Sequence, residues 1–269
     1  MKIFGVHLRF GIGVILPLIF VLSACASKRL EGERTEGSGT TEVVEVQKRA
    51  SIRMQLAIGY YQQGQYKVAL EEIRQAILVS PDLVDAYAVR ALIFMDMGEK
   101  QLAEDNFLHA LKLAPNNSDV SNNYGWFLCQ NGREKQGLSY LEKVLKDPAY
   151  QSPGKVLNNA GLCSLRMKDV ASSERYFMLG FRADPANPAV NANLAKIMYD
   201  RGDYVQARFY INRVVNKFEV MAADVLWLAI KIEKKMGDEA AVNGLATQLR
   251  RRHPSSREYS LFQRGEFNE

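Results

Sequence analysis

The side chains of this 269-residue chain that could carry chemistry are few and far apart. His7, His109 and His253 are scattered, and no His, Cys and Asp set has the spacing of a metal site or a catalytic triad. No C-x-x-C pair is present, and no Gly-rich phosphate loop follows a strand. Neither an enzymatic activity nor a cofactor or metal is expected. Cys129 and Cys163 fit two readings. They are small buried hydrophobes, or they pair across neighbouring elements in an oxidising compartment, and spacing does not choose between the two. Cys25 differs from both in the residues that precede it.

From Gly11 to Leu22 the chain is almost continuously apolar, with Lys2 and Arg9 before the run and Ser23, Ala24 and Cys25 after it. A basic start, a short apolar stretch and a small-residue exit make an export signal. As a helix the run spans about 18 Å against a hydrocarbon core of about 30 Å, so a retained anchor would have to recruit Ile3 to Phe10 as well. The box Leu22, Ser23, Ala24, Cys25 resembles the lipobox of bacterial lipoproteins. That resemblance implies removal of residues 1–24, a diacylglycerol on the Cys25 thiol and an acylated new amine. Each buried methylene adds about 0.8 kcal/mol, so two or three chains hold a protein to a bilayer without spanning it. By similarity to lipoprotein sorting in diderm bacteria, Ala26 in place of Asp favours the outer membrane.

The composition, 47% apolar and 24% charged with 8 Pro, is that of a chain that folds. The net charge is +5; without Lys2 and Arg9 it falls to +3, too small and too dispersed to argue for nucleic acid. Residues 25–49 differ in character from the rest of the chain. Gly32, Gly37 and Gly39 stand among Ser, Thr and charges, and such a stretch cannot bury enough surface to offset the entropy of ordering. It is expected to be a flexible tether between lipid and domain.

From residue 50 a period of 34 takes over, with Pro81 and Pro115 closing similar runs. Before Pro81 come Ala57, Tyr60, Gly64, Ala69, Ile73 and Ala76; before Pro115 come Ala91, Phe94, Gly98, Ala103, Phe107 and Ala110. The pattern resembles the tetratricopeptide repeat, whose small residues at positions 8, 20 and 27 let two antiparallel helices approach closely. It implies an all-α, right-handed superhelix, an α-α solenoid of about six repeats, at residues 50–83, 84–117, 118–151, 154–187, 188–221 and 222–254. Strands are excluded, because apolar residues such as Ala69, Ile73, Ala76 and Ile77 recur at three and four. Gly64, Gly98, Gly132 and Gly202 fall between paired helices, where positive φ is needed. Pro81, Pro115 and Pro185 end second helices. Gly125 and Gly137 replace the usual alanines of the third unit and are expected to thin its packing. An insertion around Tyr150 to Pro153 stretches the next interval, Pro148 to Pro185, to 37 residues and predicts a surface knuckle. Ser255 and Glu258 match a capping box. They predict a last helix from Ser256 to Arg264, within a capping segment 255–269, that covers the final stripe with Tyr259 and Phe262.

On the tetratricopeptide pattern, positions 2, 5, 9 and 12 of each first helix line a concave groove. These are Asp85, Ala88, Leu92 and Met95; Asp119, Asn122, Trp126 and Cys129; Lys155, Asn158, Leu162 and Leu165; Ala189, Ala192, Lys196 and Tyr199. The candidate protein-binding set drawn from them is Asp85, Leu92, Asp119, Asn122, Trp126, Lys155, Asn158, Leu162, Lys196 and Tyr199. Its polar members would hydrogen-bond an inserted peptide, with Trp126 as aromatic anchor. The structural alternatives are that an Asn near a helix start caps it and that Leu162 or Leu165 packs on a neighbouring turn.

Two runs are more specific than the repeat itself: Asn122-Asn123-Tyr124-Gly125-Trp126-Phe127-Leu128-Cys129 and Asn158-Asn159-Ala160-Gly161-Leu162-Cys163, with Asp147-Pro148-Ala149-Tyr150 between them. Together with the lipobox and six repeats they closely resemble the PilF/PilW family of type IV pilus biogenesis and stability lipoproteins, the pilotins of the pilus secretin. The likeness covers about residues 12 to 254. It implies a non-enzymatic protein, lipid-anchored to the periplasmic face of the outer membrane. Such a protein binds a PilQ-like secretin and promotes its localisation and multimerisation, supporting pilus biogenesis and stability. The other reading is a tetratricopeptide scaffold lipoprotein of a different envelope assembly system, serving β-barrel insertion or cell-wall synthesis.

Overall fold

The computed structural model describes residues 38–217 and 221–267; the expected signal segment, Cys25 and His7 lie outside them. The chain divides into a unit of residues 1–42 and one of residues 43–269, and the helical array belongs to the second. Regular structure among the described residues is helical throughout, and no described helix is long and apolar enough to cross a membrane.

Twelve helices follow one another as pairs: α1 (Ser38–Gln62) with α2 (Tyr66–Val79), α3 (Val84–Asp96) with α4 (Lys100–Leu113), α5 (Ser118–Gln130) with α6 (Glu134–Leu145), α7 (Pro153–Arg166) with α8 (Val170–Ala183), α9 (Pro188–Arg201) with α10 (Tyr204–Val215), and α11 (Ala223–Met236) with α12 (Glu239–Arg252). A short α13 (Arg257–Arg264) packs on α11 and α12. From α3 onward each first helix also touches the first helix of the next pair, so the stack is an all-α tetratricopeptide solenoid with first helices forming one continuous face.

The small-residue positions explain the stacking. Ala57, Ala69 and Ala76 are fully buried, as are Ala91, Ala103 and Ala110, and so are Ala195 and Ala207 in the fifth pair. Without side-chain bulk the two helices of a pair close on each other, and Ile73, Phe107, Leu141, Phe177 and Ile211 from the second helices are fully buried in the core. Gly64, Gly98, Gly132, Gly202 and Gly237 turn the chain with φ between 72° and 87°. In the fourth pair the same turn falls on Lys168, at φ 61°. Pro81, Pro115 and Pro185 follow the C-caps of α2, α4 and α8 directly.

The third pair departs from expectation. Gly125 and Gly137 do not thin it; they draw it together. A Cβ at Gly137 would stand 2.5 Å from Cys129 Sγ and 2.5 Å from the Gly125 carbonyl, and one at Gly125 would stand 3.0 Å from the Gly137 carbonyl. In the fourth pair a Cβ at Gly161 would meet the Phe177 ring at 2.4 Å. Cys129 and Cys163 form a disulfide across α5 and α7, their Cα atoms 5.4 Å apart, which decides between the two readings of these residues.

The insertion leaves a connection from Lys146 to Ser152, longer than Ser80–Leu83, Ala114–Asn117 and Asp184–Asn187 at three of the other junctions. It is tied back onto α5: Ser118 Oγ donates to Asp147 at 2.7 Å and the Tyr150 hydroxyl to Asp119 at 2.9 Å. Two further differences concern the ends. The segment expected to be flexible through residue 49 is helical from Ser38, because extending a helix already nucleated by the buried Ala50, Met54 and Ala57 costs far less than starting one. The last helix is capped by Ser256, whose Oγ accepts from Tyr259 N at 3.1 Å, one residue later than the capping-box spacing placed it.

Candidate protein-binding face

The first helices place their candidate residues in different surroundings. Asp85 and Leu92, from α3, share a concavity of about 830 Å3 with Met54 and Ile58 of α1 and with Asn123 of α5. Ala88 forms part of its floor, and Asp82 stands with Asp85 among its lining residues. The result is an apolar hollow with acidic members, large enough for several side chains of a bound segment.

Asn122 does not line this face. It is fully buried, and its Oδ1 accepts from Asn159 Nδ2 of α7 at 3.0 Å. The register is one residue off here: α5 packs closely against α7, so position 5 turns into the junction and Asn123 beside it reaches the concavity. The pattern recurs one unit on, where Asn193 Nδ2 of α9 donates to Asn158 Oδ1 at 3.0 Å, while Lys155 Nζ donates to Asn123 Oδ1 at 3.3 Å. These asparagines form a ladder between successive first helices, joining units rather than capping helix starts. The capping asparagines are Asn117 and Asn187.

Trp126 is half-buried and packs against the cluster that includes Cys129, Leu157 and Tyr176. Leu162 is partly buried against the C-terminal core. Asp119 is held by the Tyr150 hydroxyl, which burial and that carboxylate push up to about 12. Lys196 pairs with Asp200 and lines a smaller hollow of about 260 Å3 with Asn193, Trp227 and Lys231. Tyr199 lies under the Lys231 ammonium, 5.3 Å from the ring centroid. Burial, and then the repulsion of Lys196, lowers the Lys231 pKa. Thus Asp85 and Leu92 come together, as do Lys196 and Tyr199 through Lys231, but the ten candidates do not form one continuous site.

Several lining residues escaped the sequence reading, although a signal for some existed. The same positions 2, 5 and 9 applied to the first unit give Ser51, Met54 and Ile58, all of which line the larger concavity. Trp227 and Lys231 fall one residue off the pattern in the last unit, so the spacing does not find them.

Tetratricopeptide-repeat family patterns match residues 54–118 and 106–138. The type IV pilus assembly protein PilF of Pseudomonas aeruginosa is 32% identical over 210 residues, which span 78% of this chain and 83% of that protein. A structure of Pseudomonas aeruginosa PilF superposes with a TM-score of 0.70 at 31% identity, covering 82% of this chain and 99% of the other. The crystal structure of PilW, a type IV pilus biogenesis factor, superposes with a TM-score of 0.69 at 31% identity, over 80% and 98%. At this identity, and over most of both chains, the likeness places the protein in the PilF/PilW family of type IV pilus biogenesis tetratricopeptide proteins.

Proposed function

We propose that this protein is an outer-membrane lipoprotein, anchored through Cys25 and facing the periplasm, that binds the type IV pilus secretin and promotes its delivery and multimerisation. The observation that carries the reading is the apolar concavity between α1 and α3, with Met54, Ile58, Ala88 and Leu92 as its surface, in a chain of the pilus biogenesis family. Apolar side chains gathered in a hollow with acidic neighbours are arranged to take a segment of another protein, not to perform chemistry. The disulfide between Cys129 and Cys163 supports residence in an oxidising compartment such as the periplasm. A scaffold held at the membrane raises the local concentration of each captured subunit, which favours assembly without any new contact.

The test is made in cells. Leu92→Asp is expected to abolish heat-resistant secretin multimers in the outer-membrane fraction while the variant itself keeps its helical circular dichroism. Cys25→Ala is expected to leave a folded, unlipidated protein and the same loss of multimers. Normal multimers with both variants would overturn the proposal.

A further inference from the structure

The repeat register marks a second feature, away from the inner face. The position filled by buried Ala76, Ala110, Val144, Gly180 and Val214 in the first five units is occupied in the sixth by Gln248, which is polar and only half-buried. Beside it the C-terminal ends of α10 and α12 leave a hollow of about 580 Å3. Its lining includes Lys217, Arg251 and Arg252 and, among the described residues, no acid.

Arg53, Arg133, Arg166, Arg201 and Arg208, by contrast, each meet a carboxylate. None of the three cations in the hollow enters an ion pair formed among the described residues, and Arg252 Nη1 is buried with no acceptor. A buried guanidinium N–H without an acceptor is costly, and no described residue supplies one, so a group from outside the described residues is expected to do so. Basic residues in the last turn of a helix offset its macrodipole, which accounts for arginines at the end of α12. It does not account for Lys217 arriving at the same hollow from beyond α10, nor for the orphaned Nη1.

We propose that this hollow binds a phosphate-type oxyanion. Two guanidinium forks suit its paired oxygens and Lys217 adds a third charge. The hollow is larger than a bare phosphate, and Asn216, Thr247 and Gln248 offer hydrogen bonds to a hydroxylated substituent on it. Free phosphate and a phospholipid headgroup present the same chemistry, and the experiment separates them.

The full chain in detergent is treated with phenylglyoxal, and modification of each arginine is followed by mass spectrometry with inorganic phosphate or with short-chain phosphatidylglycerol added. Arg251 and Arg252 are expected to react about tenfold more slowly with at least one of the two, while the exposed Arg182 keeps its rate. Protection by phosphate makes the free anion sufficient. Protection by the lipid alone assigns the headgroup. Protection by neither, or equal slowing of Arg182, overturns the proposal. In calorimetry with the protecting compound, the triple variant Lys217→Gln, Arg251→Gln, Arg252→Gln is expected to lose about tenfold in affinity. A variant matched in charge, Lys112→Gln, Lys135→Gln, Arg182→Gln, is expected to keep it; equal losses would show bulk charge instead of a site.

Discussion

A single hydrogen at Gly137 decides how closely α5 and α6 approach. Substitution by Ala places a methyl 2.5 Å from Cys129 Sγ and the Gly125 carbonyl, and neither the cystine nor a helix backbone can yield cheaply. Gly137→Ala is expected to cost about 2–3 kcal/mol, read as a lower urea midpoint at unchanged slope. Other residue-scale ties are phenols. The Tyr176 hydroxyl donates to Glu142 at 2.6 Å and, through burial and that carboxylate, is pushed up to about 12; Tyr150 is raised likewise. A phenol kept protonated in the folded state contributes stability that is whole below its free value near 10 and is lost as pH rises toward 12. Unfolding free energy is therefore expected to hold up to about pH 10 and then fall, with Tyr176→Phe flattening part of the decline. At this scale the sequence was only half legible. Repeat spacing marks Ala69 and Ala103 as contact points. It does not say that glycines at the same positions pull helices closer, or that Asn122 and Asn123 part company, because one step along a helix turns a side chain by more than a quarter circle.

Among the elements, the α7–α8 turn carries a cost the other turns avoid. Lys168 sits at φ 61° where the neighbouring units have glycine. Lys168→Gly is expected to raise stability by about 0.5–1 kcal/mol, seen as a thermal midpoint higher by a few degrees, because relief of the left-handed backbone exceeds the added entropy of the unfolded chain. A lower midpoint would mean that the lysine side chain holds the turn. The helices were readable because their signals are local and repeated: a small residue, a turn glycine and a terminating proline recurring from unit to unit. The features the period missed depend on neighbours instead. The connection from Lys146 to Ser152 is held to α5 by Asp147 and Tyr150, a contact between segments about thirty residues apart in sequence, and α1 extends to Ser38 on the strength of its own packed half.

For the molecule as a whole, stability is a sum over pairs and the interfaces between them, and one interface is covalent. The disulfide closes a loop with a sequence separation of 34, for which chain entropy gives about 3–4 kcal/mol. Reduction, or Cys129→Ala with Cys163→Ala, is expected to lower the unfolding free energy by about that amount and to speed amide exchange in α5 to α8 before the outer helices. Exchange that changes evenly along the chain would refute a local role. The C-terminal end is closed by α13, with Leu261 buried and Phe267 stacked on Trp227 at 5.3 Å.

The cystine joins α5 to α7, two successive first helices, and so fixes the angle at which the third pair meets the fourth. The remaining junctions among the described residues rest on non-covalent side-chain contacts, such as Asn158 with Asn193 and Glu174 with Arg201. Compliance is thus divided between the two ends of the array, with a locked spine at the centre, much as a clasp bends in its arms and not at its back. A client gripped by either arm would feel a spring, and each arm would yield without disturbing the other.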